Sequence, residues 1–198
     1  RLPSSDKVID YAHSDCRSAI MDVYLMGGCH FYLGSSTSLL DLAILLNKPM
    51  VITNLNQWIN GLPHRDGDIH LYRHVYSKGE NRFLSVKEWL QRVIEISTEN
   101  WSSHDWEFFD NSDEEIESAV IEMMDPSREK ESAYLQKEFR KAHMEAVQKL
   151  SETFRFDISD VENCNEWFRF ASRILAWRGK ISTDFLEKNW FKSSKTIV

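Results

Sequence analysis

One stretch of the chain leaves few choices of fold. The apolar run Cys29-His30-Phe31-Tyr32-Leu33 is followed by Gly34-Ser35-Ser36-Thr37-Ser38, a helical pattern over residues 39–46, and a second apolar run, Pro49-Met50-Val51-Ile52-Thr53. Two short apolar runs bounded by turns and separated by one helix length fit neighbouring parallel strands joined by a crossover helix. Upstream, Val8-Ile9-Asp10-Tyr11 reads as a further strand, and residues 15–26 as a helix with Ile20, Val23 and Tyr24 on one side. The expected series is β-α-β-α-β with short turns, and the fold class α/β with a Rossmann-like parallel sheet.

Farther along, residues 54–68 lose all periodicity, and their Gly61-Leu62-Pro63 and Asp66-Gly67-Asp68 clusters mark an irregular loop. Residues 69–76 read as one strand. Ser85-Val86-Lys87-Glu88 has the form of a capping box opening a helix to about Ile96, and Ser112 to Glu115 repeats it after a short strand, Trp106-Glu107-Phe108-Phe109. Pro126 is expected to end that second helix. From residue 128 the reading is all helical. Leu135, Phe139, Ala142, Ala146, Val147 and Leu150 form one apolar stripe, Trp167, Phe168, Ala171, Ile174 and Leu175 a second, and Phe185, Leu186, Trp190 and Phe191 a short third. The expected division is a sheet domain over residues 1–126 and a helical extension over 127–198 packing on it.

Composition narrows the function classes. A chain of 198 residues with 42% apolar residues can bury a sizeable core. Its 24 Lys+Arg against 31 Asp+Glu give a formal charge of −7, which disfavours nucleic acid as a partner, since that binding needs clustered cations on phosphates. Cys16, Cys29 and Cys164 show no zinc-ligand spacing and no disulfide framework, so a reducing, cytoplasmic setting is expected. The longest apolar stretch, residues 38–46, is interrupted by Asp41 and is far shorter than the ~20 residues of a bilayer span, so no transmembrane segment is expected. A chain opening at Arg1 directly before a strand-like segment is read as a piece of a longer protein.

The chemistry concentrates at the Gly-Ser-Ser-Thr-Ser turn. A helix N-terminus leaves about four backbone N–H groups unpaired and carries roughly half a positive charge, so a loop of glycine and hydroxyl residues leading into it suits a phosphate or diphosphate. Gly34 lets the backbone approach a ligand, and Ser35, Ser36, Thr37 and Ser38 add hydroxyls without blocking the amides. The competing reading makes Thr37 or Ser38 an ordinary helix N-cap.

Three patterns stand here in order: Ile9-Asp10-Tyr11-Ala12-His13-Ser14; Met21-Asp22-Val23-Tyr24-Leu25 with Phe31-Tyr32-Leu33-Gly34-Ser35-Ser36-Thr37; and Asn47-Lys48-Pro49-Met50-Val51-Ile52-Thr53-Asn54. Together they resemble the C-terminal, nucleotide-sugar-binding domain of GT-B glycosyltransferases, and more narrowly a family found in bacterial surface-polysaccharide gene clusters. The stretch from Asp68 to Ser77, the Ser85 helix start, and Asn111-Ser112-Asp113-Glu114-Glu115-Ile116 leading to Glu122-Met123-Met124 resemble that family too. The likeness covers about residues 5–125 and, more loosely, the tail.

The resemblance implies transfer of a sugar from a nucleotide-diphosphate donor to a glycan or glycolipid acceptor, with the diphosphate at Ser36, Thr37 and Ser38. It implies no metal or other cofactor, the leaving diphosphate being stabilised by helix N-termini and basic side chains. Arg73 falls where resembling sequences carry a basic residue, which makes it the candidate cationic partner; a solvated arginine at a strand end is the plain alternative. GT-B enzymes bind the acceptor in an N-terminal Rossmann-like domain, so that domain of the same protein is an expected partner. The setting is then cytoplasmic, with peripheral contact at the inner membrane face as a variant. Two rival functions remain open: a non-catalytic nucleotide-binding or scaffolding module, and a GT-B-shaped sugar-nucleotide epimerase or hydrolase.

Other candidates carry less. His13 and Ser14 read either as base or ribose contacts or as satisfied loop residues, and Asn54 as a loop contact at a strand end. Asp10 and Asp22 read as partners of loop hydroxyls, with Arg17 the alternative partner of Asp22. His64, His70, His74, Asp66 and Asp68 are close in sequence but match no metal-ligand spacing. No catalytic residue is assigned.

Overall fold

In a computed structural model, residues 5–55, 65–92, 96, 105–125, 133–154, 178–193 and 195 are described. They form an α/β fold with a four-stranded, all-parallel sheet and a second, antiparallel sheet of three strands. In chain order the elements are α1 (Ala19–Gly28), β1 (Tyr32–Gly34), α2 (Ser38–Leu45), β2 (Met50–Leu55), β3 (Ile69–Tyr72), β4 (His74–Ser77), β5 (Arg82–Phe83), α3 (Val86–Gln91), β6 (Trp106–Phe109), α4 (Asp113–Met124), α5 (Ala133–Phe154), β7 (Lys180–Ile181) and α6 (Thr183–Asn189). The parallel sheet has the order β1-β2-β3-β7 and the smaller one β5-β4-β6.

The expected β1-α2-β2 unit forms, with β1 at Tyr32–Gly34, so that residues 29–31 of the expected strand precede it and Gly34 ends it. Tyr32, Leu33 and Gly34 pair with Met50, Val51 and Ile52. Strands β2 and β3 are buried almost throughout, as a parallel strand covered on both faces must be. Both capping boxes close. The Ser85 hydroxyl accepts from the Glu88 amide while Glu88 accepts from the Ser85 amide, and Ser112 with Glu115 does the same at α4.

Four expectations need correction. Residues 8–11 form no strand: Val8 and Ile9 are exposed, and the chain turns into a short 3-10 segment, Tyr11–His13. Tyr11 fixes that turn, its hydroxyl donating to Asp22 Oδ1 (2.8 Å) and accepting from the Ser18 amide (3.1 Å). The α1 stripe exists but faces solvent, Ile20 at 84% and Tyr24 at 72% exposure, and only Met26 of this helix is buried. The run 69–76 is two strands, broken at Arg73 and belonging to different sheets. The tail is not all helical either, because Lys180 and Ile181 pair in parallel with Ile69 and His70.

That tail strand is held from outside. Gln136 on α5 donates to the Ile181 carbonyl (2.5 Å) and accepts from the Ile181 amide (3.2 Å), which pairs the outer edge of β7 with a side-chain amide. Phe139, one turn on, sits between Tyr72 of β3, Trp89 of α3 and Trp190 beyond α6, with ring centroids 6.1, 6.5 and 6.2 Å away. Phe139, Ala146 and Val147 of the α5 stripe are buried, as are Phe185, Leu186 and Trp190, whereas Phe191 is exposed. Both parts of the chain thus contribute to one core. The second stripe, Trp167 to Leu175, and the 56–64 part of the irregular loop lie outside the described residues.

Candidate functional site

The carboxyl ends of β1, β2 and β3 open on one edge of the parallel sheet, where open α/β sheets take their ligands. At the end of β1 the chain passes through Gly34, Ser35, Ser36 and Thr37 into α2, and residues 35–38 are all exposed. A Cβ on Gly34 would lie 2.3 Å from Tyr32 Oη, so glycine is required for Tyr32 to fold back along the loop. The Tyr32 hydroxyl lies 3.5 Å from the Ser35 carbonyl oxygen and 3.3 Å from Thr37 Oγ1.

Thr37 occupies the N-cap position of α2, but its hydroxyl makes no capping hydrogen bond. Thr37 is thus the N-cap by position, without a side-chain cap bond. Its neighbour Ser38 is the first helical residue rather than the cap. The Leu40 amide donates to the Thr37 carbonyl (2.9 Å), whereas the Ser38 and Leu39 amides, the first two of α2, have no carbonyl four residues back within the helix, and the helix dipole lies behind them. Asp41, in the first turn, adds a negative charge there, but it is exposed and so screened by salt.

At the end of β2 the pairing with β3 shifts register: Ile52 faces His70, yet Leu55 faces Tyr72, so one extra residue bulges out. Asn54 lies in that bulge with φ 57°, a left-handed conformation that asparagine tolerates better than most residues. Its amide donates to Asn111 Oδ1 (2.8 Å), and the Asn111 amide donates back to Asn54 Oδ1 (2.7 Å). Asn111, buried, also donates its Nδ2 to the Tyr72 carbonyl (2.8 Å). One asparagine pair thus ties the ends of β2 and β3 to the start of α4.

Arg73 follows β3 directly. Its amide donates to the Leu55 carbonyl (2.9 Å), and its Nε donates to Asp110 Oδ1 at 2.6 Å. Lys195 reaches the same corner, its Nζ donating to the Asp110 carbonyl (3.1 Å). Arg73 stands two strand spacings, about 10 Å, across the sheet from the loop after β1. A ligand touching both must be longer than a single phosphate.

Behind this edge, Glu115 joins three elements. It accepts from His74 Nε2 (2.9 Å) on β4, from the Ser112 amide (2.9 Å) and from Asn189 Nδ2 (3.2 Å) on α6. Burial pushes its carboxyl up, but the hydrogen bonds and the charge of His74 bring it below the ordinary range. His74, one of the histidines near the irregular loop, is thereby committed to the interior.

The other sequence candidates are local. His13 Nδ1 lies 2.9 Å from Asp10 Oδ1, and Ser14 Oγ 3.0 Å from Cys16 Sγ. Asp22 takes the Tyr11 hydroxyl rather than pairing with Arg17. Asp68, buried, accepts two bonds from Arg65 and one from the Met50 amide, joining the amino ends of β2 and β3; burial pushes its carboxyl up against the pull of Arg65. His64 lies outside the described residues, among which no group of three metal-ligating side chains occurs. No helix among them is long and apolar enough to cross a membrane. Asp110, Asn111, Tyr32 and Lys195 are the members of this edge to which the sequence reading gave no role. Asn111 stands one residue before the capping Ser112, the one local sequence signal at its position. Compared with known proteins, the chain matches no family model, no curated protein and no solved structure.

Proposed function

We propose that the carboxyl edge of the parallel sheet binds the diphosphate of a nucleotide-sugar donor, and that the chain is the donor-binding part of a GT-B-type glycosyltransferase. One observation carries the reading: the Gly34 to Ser38 turn enters α2 with an exposed Thr37 hydroxyl that is not spent on capping. Amides of the first turn of α2, together with the Ser36, Thr37 and Ser38 hydroxyls, would take one phosphate. Arg73, set at the next-but-one strand end by Asp110, would meet the distal part of the donor. Negative charge developing on the leaving diphosphate is then opposed by preorganised dipoles and a guanidinium, the form of stabilisation that transfer at an anomeric carbon needs.

Aligning an acceptor against that donor and excluding water call for a second wall facing the loop. An N-terminal domain of the same protein is the proposed source of it, with a glycan or glycolipid as acceptor. Calorimetric titration of nucleoside diphosphates into the purified chain tests the donor side. Saturable binding, weakened at least fivefold by Thr37→Val with Ser38→Ala, is expected. Indifference to every nucleoside diphosphate, or unchanged affinity in the double variant, would refute the proposal.

A further inference from the structure

A polar cavity of about 260 Å³ lies at the opposite end of the sheet, beside the amino ends of β3 and β7. Its wall carries Arg140 of α5, Arg178 and Lys180 at the approach to β7, Thr183 at the start of α6, and Asp66 in the turn before β3. With Lys180 matched by Glu122 behind it and Arg178 facing Asp66, the wall keeps one positive charge in excess, in a chain of formal charge −7.

These groups differ in how firmly they are held. Buried Glu122 accepts from Lys180 Nζ (3.0 Å), from the Thr183 hydroxyl (2.6 Å) and from the Thr183 amide (2.9 Å), so that wall is fixed. The Arg140 guanidinium is oriented by the bond from Nη2 to the Gly179 carbonyl (2.9 Å). Arg178 and Asp66, by contrast, are 3.9 Å apart with side chains 72% and 77% exposed, a pair that solvent screens and an incoming anion can displace. Gly67 and Gly179 bring backbone without side chains to the same wall, permitting close approach.

We propose that this cavity binds the phosphate of a small phosphomonoester, held between Arg140 and Arg178 with Asp66 displaced. Two guanidinium forks suit a dianion with several acceptor oxygens better than a single carboxylate. At about 30 Å³ per water-sized group, the volume also exceeds what a bare phosphate fills and leaves room for a small organic substituent. This site is separate from the carboxyl edge, and neither proposal depends on the other.

The test is an amide-shift titration of the whole chain with inorganic phosphate and, in a second arm, a hexose phosphate, both at constant ionic strength. Saturable shifts at Gly67 and Gly179 are expected in both arms, with the hexose phosphate at least as tight. Arg178→Ala, at an exposed position that does not endanger folding, should weaken binding about tenfold. Arg140→Met should do the same with an unchanged fold, while Thr37→Val with Ser38→Ala leaves these shifts intact. The proposal is overturned by absent or non-saturating shifts at the two glycines, by an equal response to chloride, or by affinity unaltered in Arg178→Ala. Binding of inorganic phosphate but not of the hexose phosphate overturns the phosphomonoester assignment.

Discussion

Replacing Asn111 by alanine should loosen the carboxyl edge of the sheet at a single point. The substitution removes two bonds made by the side chain, from the Asn54 amide to Oδ1 (2.8 Å) and from Nδ2 to the Tyr72 carbonyl (2.8 Å). The bond from the Asn111 amide to Asn54 Oδ1 can persist. Each lost bond costs about 1 kcal/mol net, and leaving a buried partner unsatisfied adds about 1–3 kcal/mol. Tyr72 is fully buried, so its carbonyl bears the larger penalty, whereas half-buried Asn54 can recruit water. The expected loss is about 3 kcal/mol, read as the shift of a urea unfolding curve at constant slope. Asn111→Asp separates the two terms: it keeps the acceptor for Asn54 but sets a carboxylate oxygen against the Tyr72 carbonyl, and should destabilise at least as much. If both variants fall within about 0.5 kcal/mol of the parent, the asparagine pair does not hold this edge and the argument is wrong.

Gly34→Ala should cost little stability, since the atom it meets is the far end of Tyr32, but it should displace that ring from Thr37 and weaken nucleoside-diphosphate binding; Tyr32→Ala in the same chain should restore much of the loss in a calorimetric titration. Glu88 is held down to about 2 from its usual value, first by the hydrogen bond from Arg82 and also by the Ser85 cap. A lowered carboxylate stabilises above its unfolded value and loses that contribution as pH falls from about 4.5 toward 2. With a third of the side chain exposed, about 1–2 kcal/mol is expected rather than the full equivalent of the shift, and Glu88→Gln should flatten the acid limb of a stability–pH curve. Arg73→Ala should weaken the donor more than it weakens inorganic phosphate, as competition titrations would show. Donor binding should survive EDTA, because helix amides and arginine supply the positive charge; loss on chelation with recovery on adding magnesium or manganese would refute this.

The parts legible in the sequence were those fixed by near neighbours. Ser85 with Glu88 and Ser112 with Glu115 close their caps within three residues, and the β1-α2-β2 unit follows from period and turn chemistry alone. What failed depended on partners far along the chain. Val8-Ile9 has strand chemistry but no paired neighbour, so it stays out of the sheet. Lys180-Ile181 sits in a helical stretch of sequence yet becomes a strand, because Ile69 and His70 on one side and Gln136 on the other satisfy its backbone. The break at Arg73 was invisible for the same reason: β3 and β4 serve different sheets, a decision made by β2 and β6. At the candidate site, Gly34 to Ser38 could be read from spacing, whereas the Asn54–Asn111 pair spans 57 positions and left no periodic trace.

The most direct measurement is amide-shift mapping of the chain titrated with a nucleoside diphosphate. The largest shifts are expected at Ser35, Ser36, Thr37, Ser38 and Leu39, a smaller set at Arg73 and Asn111, and saturation with a single affinity. Shifts confined to other parts of the molecule, or none at the turn between β1 and α2 at saturating nucleotide, would contradict donor binding at this edge.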